Sequence, residues 1–152
     1  YFKTKDIKEG LRMRQIYSKI DKNCLLLTLN RREDISSSRV DLSPENEYLQ
    51  CAAKSLAKGT RFKPHKHNEL VRTTDRTQEA WVFLSGRVRA KFYDLDDSLI
   101  MDTELVAGDC AVVFKAGHGF EVLEDDTIIY EFKTGPYFGQ EADKSFIEET
   151  GV

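Results

Sequence analysis

The sequence predicts an all-β protein built from antiparallel strands, and three observations carry that expectation. From residue 48 onward, short apolar-alternating runs recur at close spacing. Turn signals separate them: Gly59, Gly86, the 94–98 stretch, Ala107-Gly108-Asp109, the 124–126 acidic triplet and Gly135-Pro136. The gaps between runs are too short to hold crossover helices, which argues against a parallel α/β sheet.

Taken in order, residues 5–20 carry Ile7, Leu11, Ile16 and Ile20 at imperfect helical spacing, expected as a short helix or irregular arm. Residues 24–29 (CLLLTL) read as a strand, and 31–46, with Ser36-Ser37-Ser38 and Ser43-Pro44, as a loop. Strands are then expected at 48–57, 61–67, 78–84, 87–93, 100–106, 110–114, 119–123 and 127–133. The expected organisation is an N-terminal arm and loop over 1–46, one barrel over 47–137 and a polar tail over 138–152. No internal repeat is found. The chain opens on Tyr1 rather than Met, so residues are expected to precede it.

Composition narrows the function. At 152 residues the chain suits one domain and needs no disulfide staples to build a core. A net charge of −3 supplies no basic footprint, so nucleic acid is not expected as a partner. The apolar runs are far shorter than the ~20 residues of a membrane span, and no signal-peptide pattern opens the chain. Cys24, Cys51 and Cys110 are far apart and form no CxxC pair, as expected of thiols in a reducing cytoplasm. A glycine-rich phosphate loop is likewise missing.

The chemistry concentrates on the three histidines. His65 and His67 stand two apart in an expected strand, where i and i+2 share a face, so their rings could converge on one ion. Glu79 opens the next run, in phase with Trp81 and Phe83 and with Val88, Ala90 and Phe92 on the run after Gly86. That face reads as interior, where a carboxylate is costly unless it is paired or binds a metal. His118 lies between Gly117 and Gly119. Imidazoles plus one carboxylate suit Fe, Mn, Zn, Ni or Co as one divalent ion, with positions left open for chemistry. This use of the histidines leaves none for a Ser-His-Asp arrangement.

Other residues follow from the same alternation. Arg61 and Lys63 share parity with His65 and His67 and are expected to offer charge to an anionic substrate. Arg72 and Arg76 lie in the run between His67 and Glu79 and could reach over the mouth. Tyr130 and Glu131 sit on opposite strand faces, so one of them faces inward as a proton donor or base. Arg87, Arg89 and Lys91 read as an outer, solvated face. Gln78, Ala80, Val82 and Leu84 form an outer face apolar enough to need cover, from which a homodimer is expected.

The order Gly59, five residues, His65-Lys66-His67, a gap, Glu79, six residues, Gly86 resembles the first motif of the cupins. Gly108-Asp109 followed by Gly117-His118 resembles the second, without its proline and with shortened spacing. The gap of residues 68–78 is longer than usual and is expected to form a loop at the barrel mouth. A narrower likeness is to the small cupin metalloproteins found among bacterial cell-surface polysaccharide genes. It rests on Asp41-Leu42-Ser43-Pro44, Phe62-Lys63-Pro64-His65-Lys66-His67, Thr77-Gln78-Glu79, Phe92-Tyr93-Asp94, Gly117-His118-Gly119-Phe120-Glu121 and Lys133-Thr134-Gly135-Pro136-Tyr137.

This resemblance implies a double-stranded β-helix, the jelly-roll barrel, with a short N-terminal arm. It implies one metal ion on His65, His67, Glu79 and His118. The implied activity is that of a metalloenzyme, isomerase or epimerase in type, acting on a small sugar-derived or anionic substrate. A non-haem Fe(II) dioxygenase and a non-catalytic carbohydrate-binding cupin are the alternatives, because the fold hosts all three.

Overall fold

A computed structural model describes residues 13–148. It holds ten strands in three antiparallel sheets. The strands are β1 (Arg14–Tyr17), β2 (Leu25–Asn30), β3 (Val40–Asp41), β4 (Ala52–Ala53), β5 (Glu79–Ser85), β6 (Arg87–Tyr93), β7 (Leu99–Val106), β8 (Cys110–Val113), β9 (Gly117–Val122) and β10 (Ile128–Lys133). The protein is all-β in its core, with one short helix, α1 (Gln140–Asp143), near the end. Among the described residues no helix is long and apolar enough to cross a membrane.

The largest sheet runs β1-β2-β8-β5-β10, and the second runs β7-β6-β9. They meet over one core. Leu27, Leu29, Trp81, Phe83, Ala111 and Val113 come from the first sheet, and Val88, Ala90, Phe92 and Leu105 from the second. The period-2 alternation of β6 explains its placement. Val88, Ala90 and Phe92 are fully buried, while Arg87 and Arg89 point to solvent and pair with Glu104 and Asp102 on β7.

The chain passes between the two sheets at Gly86, whose φ of +75° is one that L side chains rarely adopt. A Cβ there would also lie 2.7 Å from the Thr127 Cα, so the corner demands glycine on two counts.

The first third differs from an arm laid beside a barrel. β2 is buried along its whole length and pairs with β1 on one side and β8 on the other. Six successive apolar or small polar residues with no charge suit a strand covered on both faces. The helical reading of 5–20 lies outside the described residues up to residue 12. From Arg14 the segment is a strand instead, because it hydrogen-bonds along β2.

Two further expectations are corrected. The strand expected at 48–57 shrinks to Ala52–Ala53, and residues 61–67 form no strand at all. The whole stretch 54–73 is exposed. Its residues include Lys54, Lys58, Arg61, Lys63, Lys66 and Arg72, and Pro64 removes one ladder donor. Its apolar residues Leu56, Phe62, Leu70 and Val71 are scattered among these charges and stay exposed, so the run buries little in return for its ordering entropy.

The outer face of β5 is covered within the same chain except at Leu84, which stays 48% exposed. Leu25, Leu42, Ala80, Cys110, Val112 and Phe114 form a second core cluster, joined by Val40, Leu49, Cys51, Ala53 and Val82. Gln78, only 1% exposed, is held there by the Leu49 N–H at 2.8 Å and by the Glu47 carboxylate. The β3–β4 hairpin therefore supplies the cover for which a partner subunit was expected.

Candidate active site

Glu79 is the first residue of β5 and lies in register with Lys133 on β10 and Val113 on β8. His118 is on β9, opposite Phe92 of β6. The two sheets thus contribute one partner each, and they meet at the open end of the core. His118 Nε2 lies 3.5 Å from Glu79 Oε2, and Lys133 Nζ lies 3.4 Å from the same oxygen. Trp81 Nε1 donates to the other carboxylate oxygen. Lys133 also reaches Glu131 Oε1 at 3.1 Å, so an acid–base–acid row runs along the inner edge.

The His118 ring is fixed from two directions. Its Nδ1 is 3.0 Å from the Ala116 carbonyl, which can only accept. Nδ1 therefore carries a proton, and Nε2 faces the Glu79 carboxylate, which also only accepts, so the pairing favours the doubly protonated, charged ring. The indole of Trp81 packs edge-to-face on the ring at 5.2 Å and 74°. Phe120 packs on the same indole at 5.0 Å, so an aromatic wall sets the imidazole in place.

Charge follows this geometry. Burial pushes the Glu79 carboxyl up, but the His118 and Trp81 hydrogen bonds and the charges of His118 and Lys133 outweigh it and bring the group down to about 2. Burial pushes the His118 imidazole down, but the hydrogen bonds to Glu79 and Ala116 and the Glu79 charge lift it above 6.5.

The pair opens on a cavity of about 790 Å³. Glu79, Trp81, Tyr93, His118 and Glu131 line its inner wall, and Arg76 and Lys115 bring cations to it. The segment from Asp143 to Ile147 lies over one side, tied by the hydrogen bond from Thr77 Oγ1 to Asp143 Oδ1. The polar tail thus folds back onto the site.

The structure sorts the expected site residues. Glu79 and His118 come together. Glu131 lines the cavity, and Tyr130 points to the opposite face with 59% of its surface exposed, because alternation on β10 allows only one of them inward. His65 and His67 remain on the exposed 54–73 run, their rings 5.3 Å apart. Arg61, Lys63 and Arg72 are exposed on that run too, and the parity argument for Arg61 and Lys63 fails because no strand forms. Lys133 was not anticipated. Its signal was available: it lies in phase with Glu131 on a correctly placed strand.

The site brings together one carboxylate and one imidazole, two of the four donors expected for a divalent ion. His118 has its Nδ1 held by a backbone carbonyl and its Nε2 turned to the Glu79 carboxylate, and His65 likewise has Nδ1 2.9 Å from the Lys63 carbonyl. Among the described residues, however, no group of three or more His, Cys, Asp or Glu side chains converges on one point. Compared with known proteins, the chain is matched by no family model, no curated protein and no solved structure.

Proposed function

We propose that this protein is a small cupin-type metalloenzyme, an isomerase or epimerase acting on a small polar, anionic or sugar-derived molecule. The observation that carries the proposal is the Glu79–His118 pair, drawn from two facing sheets onto the wall of a polar cavity. A buried carboxylate beside an imidazole held at Nδ1 by a backbone carbonyl suits a metal-ligand or acid–base arrangement rather than ordinary core.

Glu79 and His118 would hold a divalent ion (Fe, Mn, Zn, Ni or Co), with His65 and His67 of the exposed run completing the set. The ion would polarise a substrate carbonyl or hydroxyl. Glu131, whose carboxylate lines the cavity and is held by Lys133, moves the proton. Arg76 and Lys115, rather than Arg61 and Lys63, are the cations placed to hold an anionic group. The jelly-roll topology belongs to the same proposal and is supported by the two antiparallel sheets packed over one core.

A second reading, acid–base chemistry or binding without a metal, is favoured by one observation. The Glu79 carboxylate already receives Trp81, His118 and Lys133, so it is satisfied as it stands. Titration calorimetry with Mn²⁺, Fe²⁺ and Zn²⁺ under anaerobic conditions separates the two. The metal reading expects one ion per chain, lost in Glu79→Gln and in the double variant His65→Ala, His67→Ala. Unchanged binding in the double variant removes the loop histidines from the site, and no binding by the parent leaves the acid–base reading.

A homodimer and a cytoplasmic setting complete the proposal. Ile128, Tyr130 and Phe132 form an exposed apolar row on the edge strand β10, and the three cysteines are free thiols.

A further inference from the structure

The segment that follows β10 is fastened to both sheets at the cavity. It turns into α1 at Gly139, whose φ of +102° suits glycine. One fastening is the hydrogen bond from Thr77 Oγ1 to Asp143 Oδ1 at the end of α1. Thr77 leads into β5 of the larger sheet, and the adjoining Gln78 donates its N–H to Thr134 Oγ1 at 2.9 Å, which fixes that anchor. The other fastening is steric. Gly117 opens β9 of the second sheet, and a Cβ there would collide with Ile147 Cδ1. Tyr93, only 9% exposed and in register with Gly117, closes the other side of the notch, with its Cβ 3.1 Å from that position. Ile147 is half-buried here, while Phe146 beside it is turned to solvent.

The two anchors adjoin the two site residues. Thr77 lies just ahead of Glu79, and Gly117 immediately precedes His118. We propose that residues 140–147 are a clasp that joins the two sheets across the Glu79–His118 site and controls the admission of small molecules, with Ile147 in the Gly117 notch as its releasable catch. The proposal stands whether or not a metal sits on the pair.

Both fastenings are light. The hydrogen bond is exposed to competing water, and the catch is one side chain wide. The clasp can therefore open locally while the sheets, held by their own ladders and core, stay folded. The missing side chain at 117 is what makes closure possible, since any larger residue fills the notch and holds Ile147 off.

The chain carries its own reporters. Lys144 places a tryptic site inside the clasp, and Trp81, the single tryptophan, lines the cavity at 2% exposure. The test follows the full chain, in chelator, by the rate of tryptic cleavage after Lys144 and by acrylamide quenching of Trp81. Cleavage in a segment that opens and recloses tracks the population of the open form. In Gly117→Ala and in Thr77→Val both readouts should rise several-fold, with far-ultraviolet circular dichroism unchanged. Thr77→Val lies outside the strands and keeps the test valid if Gly117→Ala disturbs β9. Adding Ile147→Ala to Gly117→Ala removes the collision and should bring both readouts back towards the parent. Cleavage after Lys144 as fast in the parent as in Gly117→Ala and Thr77→Val overturns the clasp. Faster cleavage with unchanged quenching overturns its control of the cavity, and a double variant no better closed than Gly117→Ala overturns Ile147 as the catch.

Discussion

His118 Nε2 sits 3.5 Å from Glu79 Oε2, joining the edge strand β9 of one sheet to the start of the interior strand β5 of the other. Each group alone would pay for burial in low-dielectric surroundings. Together they hold opposite charges at the cavity wall, with Glu79 buried and His118 partly open to solvent.

This pairing makes stability depend on pH in a definite direction. Glu79 is depressed from 4.5 to about 2, so its contribution is complete above 4.5 and is lost as pH falls towards 2. His118 is raised above 6.5, so its contribution is complete below 6.5 and is lost as pH rises through its folded value. The metal-free protein is therefore expected to draw most from this pair between pH 4.5 and 6.5. Urea denaturation across pH 4–9 in chelator checks this, with His118→Gln as the comparison. A parent whose stability relative to His118→Gln grows from pH 6 to 9 contradicts the assignment.

Trp81→Phe keeps a ring in the aromatic wall and deletes the indole N–H that reaches Glu79, together with part of a fully buried bicyclic ring. Losing a hydrogen bond to a charged group costs about 1.5–3 kcal/mol. The Glu79 carboxyl should rise as well, so the acid limb of the stability profile moves to higher pH. A variant that loses stability with no movement of that limb indicates a packing effect alone.

Asp109, 1% exposed, accepts from the Arg31 guanidinium at 2.5 Å and from the Val106 N–H at 3.0 Å. Arg31 also reaches the Glu104 carbonyl and Thr103 Oγ1. Arg31→Leu leaves a buried carboxylate without its cation and should cost about 3–5 kcal/mol. The double variant Arg31→Leu, Asp109→Asn should recover part of that loss. Chemical denaturation of the parent, both single variants and the double variant measures the coupling.

Gly86→Ala is expected to destabilise by about 1–3 kcal/mol, since φ is positive and the Thr127 backbone blocks the new methyl. Gly59, with φ of +88° and open space around it, should tolerate alanine with a smaller loss. Equal melting temperatures for the two variants would show that the Thr127 contact yields.

The core was legible because it obeys period 2. Trp81, Phe83, Val88, Ala90 and Phe92 face the main core at every second position, and each inward position was read correctly from that phase. The same rule singled out Glu79 as a carboxylate among buried aromatics. It failed at 61–67, where the residues alternate but have no ladder partner and almost nothing apolar to bury. Pairing between distant segments was not legible either. That β2 lies beside β8, or that the β3–β4 hairpin covers Ala80 and Cys110, is set by the global arrangement of strands and leaves no local mark.

The segment at Asp143–Ile147 bears on how any small molecule enters. It stands over the cavity beside Gly117 and Tyr93, anchored through Thr77 and Asp143 rather than through a strand ladder. A molecule held in the cavity would touch this segment, so its binding is expected to tighten the segment's hold on the core. Shortening the chain before residue 140 should leave the two-sheet core folded and speed both entry and escape of a bound molecule, converting a gated vessel into an open cup.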